Sequence, residues 1–127
     1  MDKRVVVSAK APRPVGPYSQ AIEAGGFIFL AGQVGLVPET GQLAQGIQAQ
    51  SAQCLENIKG ILSSMGQDLS AVVKMSVFLT DMADFQEMNK VYGGFFPSEP
   101  PARTTVAVKA LPLGASVEME ALAIKAL

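Results

Sequence analysis

The chain has 127 residues and a formal net charge of −1, with no histidine, no tryptophan and one cysteine. This length predicts a single domain, and the residue inventory excludes an intramolecular disulfide, the usual zinc sites, and Ser-His-Asp or Cys-His catalysis. The charge balance gives no basic stripe of the kind that nucleic-acid-binding proteins carry, and no apolar run reaches the roughly 18 residues of a membrane span. We therefore expect a cytoplasmic protein, since a reducing compartment suits one free cysteine.

The N-terminal part of the chain predicts three strands and a loop. A short strand over 3–7 is followed by an extended loop over 11–18, because three prolines in that segment exclude a helix. Two apolar segments, 20–24 and 27–33, flank Gly25-Gly26. Two glycines between apolar runs indicate a β-hairpin.

The clearest helix begins at Ile47 and ends near Gly66, a residue type suited to a helix C-terminus. Its apolar stripe repeats at helical spacing and consists of Ile47, Ser51, Cys54, Leu55, Ile58, Ile61, Leu62 and Met65. Cys54 lies on this stripe, which predicts a core residue and not a nucleophile, because reactive thiols need exposed, electropositive surroundings. The polar residues Gln50 and Asn57 are expected on the opposite side.

The second half of the chain predicts three strands and another helix. Residues 72–80 alternate in polarity like a strand, with Val73 on the apolar face. Asp81 is suited to cap a helix in which aromatic residues repeat at helical spacing. The segments 103–110 and 117–125 are expected to form two final strands joined as a hairpin.

The predicted order of elements, β-β-β-α-β-α-β-β, indicates an α+β fold with two helices on one face of a mixed sheet. The other face of that sheet would be uncovered in a monomer. Hydrophobic residues make up 49% of the chain, which fits either an ordinary core or a core together with a subunit interface. We expect the uncovered face to be buried against other subunits.

Residues suited to chemistry lie near the C-terminus, where Arg103 follows Pro101-Ala102. An arginine can donate two parallel hydrogen bonds to a carboxylate or phosphate, and a nearby glutamate can accept a proton or orient a water. Arg103 has two interpretations: a structural ion pair with Glu118 or Glu120 across the predicted hairpin, or an anion receptor. Alternation places both glutamates on one face, and spacing does not choose between them.

Three further features are candidates with two interpretations each. Gly16-Pro17-Tyr18 and Ala31-Gly32-Gln33 are small-residue turns that either let a ligand approach the backbone closely or serve only as turns. Asn89, on the second predicted helix, is either exposed to solvent or hydrogen-bonded across an interface.

Taken in order, these features resemble the RidA/YjgF family. The motifs are Gly16-Pro17-Tyr18-Ser19-Gln20, Ala31-Gly32-Gln33, Asn57, Val77-Phe78-Leu79 with Asp81, Phe85 and Asn89, Pro101-Ala102-Arg103, and Val117-Glu118-Met119-Glu120. Each motif is weak alone, but the ordered set covers essentially the whole chain as one domain over 1–127. The chain differs from the family at Thr104 and at Thr105, a position where well-known members often have cysteine.

The resemblance implies a chorismate-mutase-like α+β subunit, assembled as a homotrimer with three clefts between subunits. It implies hydrolysis of reactive enamine and imine intermediates, chiefly 2-aminoacrylate (2-iminopropanoate) and 2-iminobutanoate, to 2-keto acids and ammonia. By position, Arg103 would hold the substrate carboxylate and Glu118 would orient or deprotonate the attacking water. The residues implied to line the cleft and hold the imine nitrogen are Tyr18, Gly32, Asn89 and Thr105, the last through its backbone.

A protonated 2-imino acid already has an electrophilic carbon, so positioning and one general base are sufficient, and no metal or cofactor is expected. Two other functions remain open. One is an RNA-acting translation inhibitor (an endoribonuclease), which the acidic balance and the absence of histidine disfavour. The other is a non-catalytic ligand-binding or chaperone-like trimer that uses the same clefts, for which Arg103 would be needed and Glu118 would not.

Overall fold

The computed structural model describes residues 2–125, so that residues 1, 126 and 127 of the predicted domain lie outside the described part. The strands within it are β1 (Lys3–Val6), β2 (Ala21–Ala24), β3 (Phe27–Val34), β4 (Val72–Leu79), β5 (Ala102–Ala107) and β6 (Val117–Ile124), and the α-helices are α1 (Ile47–Ser63) and α2 (Phe85–Phe95). This confirms the predicted order of elements. No helix in the described range is both long enough and apolar enough to cross a membrane.

The strands form one mixed sheet in the order β1-β2-β3-β6-β4-β5. Neighbouring strands are antiparallel except β4 and β5, which are parallel and connected through α2. A parallel pair needs such a crossover connection, which places the helix on a face of the sheet. The hairpin predicted between 103–110 and 117–125 is therefore wrong, because β4 lies between β5 and β6.

The hairpin between β2 and β3 is confirmed. Gly25 and Gly26 have φ of 59° and 82°, the left-handed region that a tight two-residue turn requires and that glycine adopts without steric cost. The proline-containing segment 11–18 forms no helix or strand, again as predicted.

Both helices cover one face of the sheet, and the hydrophobic core lies between them and the strands. The fully buried strand residues on this face are Ile28, Met75, Val77, Leu79, Val117, Met119 and Ala123. Cys54 of α1 is fully buried in the same core, and desolvation raises the pKa of its thiol far above the ordinary value. The prediction that Cys54 is a core residue is confirmed.

The alternation of residues 72–80 predicted Val73 on the apolar face of β4, and this prediction is wrong. The register between β4 and β6 shifts between Val72 and Lys74, and an irregularity of this kind reverses the side of the sheet to which the next residues point. Val72 is consequently buried and Val73 is 38% exposed.

The expected exposure of Gln50 and Asn57 is also wrong, since both are buried. The Gln50 side-chain oxygen accepts a hydrogen bond from the Ser116 amide at 2.8 Å. The Asn57 side-chain nitrogen donates to the Leu36 carbonyl at 2.9 Å and to the Val34 carbonyl at 3.3 Å. The Ser116 amide and the Leu36 carbonyl lie outside the strands and find partners in these two side chains, which is why the helix buries them.

The opposite face of the sheet is left uncovered by residues 2–125, as predicted; we call it the open face. Its large exposed apolar residues are Val5, Phe27, Phe29, Val106 and Ile124, each between 42% and 54% exposed. Register connects them across the strands, for example through the Phe27–Ile124 pair. A set of large exposed apolar residues that share one face is typical of an interaction surface.

Candidate active site

The predicted site residues lie on both faces of the sheet. Arg103 of β5 pairs with Met75 of β4, whose side chain is buried beneath the helices. Glu118 of β6 pairs with Phe78 of β4, three residues further along. Because side chains alternate along a strand, Arg103 lies on the helix side and Glu118 lies on the open face.

The two glutamates of β6 share the open face, as alternation predicted, since Glu120 pairs with Ser76. Neither glutamate forms an ion pair with Arg103 among residues 2–125. The interpretation of Arg103 as a structural ion pair across a hairpin is therefore wrong: β5 and β6 are not adjacent, and the charged groups point to opposite faces.

Arg103 stacks against aromatic residues of α2. Its guanidinium carbon lies 4.6 Å from the ring centroid of Tyr92 and 5.7 Å from that of Phe85. Stacking uses the planar surface of the guanidinium and leaves its N–H edge available for a planar anion. Tyr92 was not among the predicted site residues, although it follows Asn89 by three residues and so lies on the same side of α2.

The elements around Arg103 carry buried polar atoms that lack a partner. Asn89 Oδ1 and Thr105 Oγ1 make no hydrogen bond within the described range, and the Tyr92 hydroxyl has no partner there other than the Arg103 side chain. Asn89 and Tyr92 lie one turn apart on α2, while Thr105 follows Arg103 by two residues and shares its side of β5. Unpaired buried polar groups are costly, and these atoms lie on the two elements that surround Arg103.

Glu118 lines a cavity of about 320 Å³ on the open-face side, together with Tyr18 and Gly32. Three of the predicted site residues therefore meet here. Arg13 and Leu113 also line the cavity, and neither was singled out from the sequence. Leu113 has a φ of 63°, a conformation that strains a non-glycine residue and is often found at functional sites.

Gly32 lies directly against the Glu118 side chain. A Cβ atom at this position would be 2.9 Å from the carboxyl carbon of Glu118, so a side chain here would displace the Glu118 carboxyl from its present position. The predicted turn at Ala31-Gly32-Gln33 is wrong: the segment belongs to β3, at a register shift between Leu30 and Gln33. The shift brings the backbone toward Glu118.

The surroundings of Glu118 favour its neutral form. Desolvation raises the pKa of the Glu118 carboxyl, and the negative charge of Glu120 raises it further. The carboxyl is half-buried, and no lysine or arginine of residues 2–125 forms an ion pair with it. A carboxyl group with a raised pKa in a cavity is suited to take up and return a proton.

A family model described as Endoribonuclease L-PSP matches residues 8–125. The chain belongs to the RidA/YjgF family. It is 49% identical over 126 residues to a RutC family protein of Pyrococcus abyssi, covering 98% of this chain and 99% of the relative. It is 44% identical over 124 residues to the 2-iminobutanoate/2-iminopropanoate deaminase of Homo sapiens, covering 97% and 90%. The crystal structure of RidA from an Antarctic Psychrobacter has a TM-score of 0.93 at 42% identity, covering 95% and 98%.

This RidA-family chain also holds its cavity through buried amides that sequence analysis did not assign to the site. Asn57 binds the carbonyls at the end of β3, which carries Gly32. Gln50 binds the Ser116 amide just before β6, which carries Glu118. Polar residues within or beside the apolar stripe of α1 were the available signal, because a buried amide needs a partner.

Proposed function

We propose that this protein hydrolyses reactive 2-imino acids, chiefly 2-iminopropanoate and 2-iminobutanoate, to 2-keto acids and ammonia. The observation that carries the proposal is the placement of Arg103 and Glu118 on opposite faces of one sheet, which would separate a carboxylate-binding half of the site from a proton-transfer half. The deaminase name of the human relative, at 44% identity, supports the same reaction class.

The complete site is proposed to form between subunits of a homotrimer with a chorismate-mutase-like fold. A head-to-tail contact around a three-fold axis would place the Arg103 surface of one subunit against the Glu118 cavity of the next. The same contact would bury the apolar open face.

In the proposed mechanism, the Arg103 fork donates two hydrogen bonds to the substrate carboxylate and orients the C=NH₂⁺ group. The Glu118 carboxylate removes a proton from a water, whose oxygen attacks the imine carbon and forms a carbinolamine. Glu118 returns this proton to the nitrogen. The C–N bond then breaks as the hydroxyl proton passes back to Glu118, which releases the 2-keto acid and ammonia. Ammonia takes this proton from Glu118, so that ammonium leaves and the carboxylate is regenerated.

Tyr18, Gly32, Asn89 and the Thr105 backbone are proposed to line the cleft and hold the nitrogen. The decisive assay measures keto-acid and ammonia release from enzymatically generated 2-aminoacrylate, with and without the protein. Release no faster than the uncatalysed reaction would exclude the proposed activity.

The proposed assembly predicts the mass in solution. Light scattering at micromolar concentration should report about three times 13.3 kDa, because a heterologous contact closes into a ring. A clean monomer or dimer under these conditions would contradict the three-fold arrangement of the site.

Glu118→Gln is expected to keep assembly and ligand binding but to lose most of the turnover, because an amide cannot accept the proton of the water. Its melting temperature at neutral pH should not fall, since burial already disfavours the charged form of Glu118. Kinetics and thermal unfolding on the same sample test both parts of this prediction.

Glu120→Gln is the matched control, and we expect it to have only a mild effect on maximal turnover. Only the ionised Glu118 accepts a proton, so turnover is lost as pH falls through its raised pKa. Removing the Glu120 charge lowers that pKa and should move the acid limb of the kcat profile to lower pH. Equal losses in both variants would mean that the two carboxyls act as one unit.

RNA cleavage is the second candidate, raised by the Endoribonuclease L-PSP description of the family model. The net charge of −1 and the absence of histidine give it little support. Incubating wild type and Glu118→Gln with single-stranded RNA tests it. If wild type cleaves the RNA and Glu118→Gln does not, RNA hydrolysis is assigned to the same cavity.

A further inference from the structure

Arg13 is a cation in the Glu118 cavity that the proposed mechanism does not use. Arg13 lines the cavity together with Tyr18 and Glu118. Among residues 2–125, none of the ion pairs involves Arg13. Its guanidinium therefore retains its hydrogen-bonding capacity for an anion that enters the cavity.

The backbone on both sides of Arg13 is held in place. The Gln20 side chain donates to the Pro12 carbonyl at 2.9 Å and to the Ser8 carbonyl at 3.0 Å. On the other side, the Val15 amide donates to the Tyr18 hydroxyl at 3.2 Å. Prolines precede and follow Arg13 directly and restrict φ there. The backbone of Arg13 is thus held at the rim of the cavity, and its exposed side chain can reach an anion that enters there.

Charge in this cavity comes from Arg13 and Glu118, since the other lining residues are uncharged. In the proposed reaction, the carboxylate beside the imine is bound by Arg103. A substrate with a second carboxylate on its side chain would be repelled by Glu118 unless a cation compensated for it. Arg13 is placed to supply that compensation.

We propose that Arg13 makes this protein accept 2-imino dicarboxylates, with its guanidinium bound to the side-chain carboxylate of the substrate. The proposal rests on the proposed imine hydrolysis and names a further substrate class for it. The chemistry is unchanged: water replaces the imine nitrogen, and the products are a 2-keto dicarboxylate and ammonium.

The test compares two imines generated in situ by amino acid oxidases, one from alanine and one from aspartate. Arg13→Gln should lower kcat/KM for the aspartate-derived imine by about 2- to 5-fold, the upper range of an exposed charge pair, and leave the alanine-derived value almost unchanged. Arg13→Lys should restore part of the loss because it keeps the charge. The selectivity of wild type should decrease at high ionic strength.

Lys59→Gln is the control, since it removes one positive charge from an exposed position on α1 outside the cavity. Equal losses for both imines in Arg13→Gln would overturn the proposal and assign general anion attraction to Arg13. An unchanged ratio of the two kcat/KM values would also overturn it.

Product binding provides a readout that does not depend on turnover. Calorimetry with oxaloacetate and pyruvate should show that Arg13→Gln weakens oxaloacetate selectively. If neither imine is hydrolysed but this selective weakening is found, the proposed activity fails and the dicarboxylate site stands. If both imines are hydrolysed and oxaloacetate binding is unaffected by Arg13→Gln, the activity stands and the role of Arg13 is wrong.

Discussion

Arg103→Ala is expected to lower imine hydrolysis by more than about 100-fold, because two charge-assisted hydrogen bonds to the substrate carboxylate are lost together. Arg103→Lys keeps the charge but loses the planar fork, and it should lower activity by about 10- to 100-fold. Steady-state kinetics with the alanine-derived imine measures both effects. Lysine should therefore be an incomplete substitute for arginine.

Thermal unfolding of the same variants separates catalysis from folding. Arg103→Ala removes the stacking on Tyr92 and Phe85, worth about 0.5–2 kcal/mol, so a modest fall in melting temperature is expected alongside the loss of activity. Arg4→Ala is a control, since Arg4 pairs with Glu23 on the surface of β1 and β2 and should leave turnover unchanged. Full turnover per folded Arg103→Ala molecule would contradict the carboxylate-binding role.

Mixing the two inactive variants is expected to restore activity. If each site takes Arg103 from one subunit and Glu118 from the next, a random mixture of Arg103→Ala and Glu118→Gln chains contains intact sites. In each mixed trimer one of the three sites receives both native residues, so the turnover of the isolated mixed assemblies should approach about one third of wild type. Co-expression with two affinity tags, followed by sequential purification, isolates the mixed assemblies for assay.

The control for this experiment is a mixture of Arg103→Ala with the double variant Arg103→Ala/Glu118→Gln. It forms mixed assemblies in the same way but supplies no native Arg103, so it should stay inactive. Mixed assemblies of the two single variants that remain inactive would show that Arg103 and Glu118 do not complete one site across subunits.

Much of the fold could be predicted from local patterns. The alternation of Val117, Met119 and Ala121 indicates a strand with one buried side, and the i, i+4 spacing of Cys54 and Ile58 indicates a buried helix face; both hold. These patterns are reliable because they follow from the geometry of a single element. The Gly25-Gly26 turn is equally local, since it depends on the φ angles of two residues.

The pairing of β5 could not be predicted from such patterns. Proximity in the chain suggested a hairpin of β5 with β6, but β6 pairs with β3 and β4 on its two sides. β6 has the residues of a central strand, buried on alternate positions, whereas none of the β5 residues is fully buried and the strand lies at the edge. This competition among strands for a buried central position depends on the whole sheet.

That pairing also determines the arrangement of the candidate site. The residue types of Arg103 and Glu118 indicated carboxylate binding and proton transfer, because these capacities belong to the side chains themselves. Their placement on opposite faces follows from the parallel register of β5 on β4 and the antiparallel register of β6 on β4. Register depends on long-range pairing, and a shift by one residue would move either side chain to the other face.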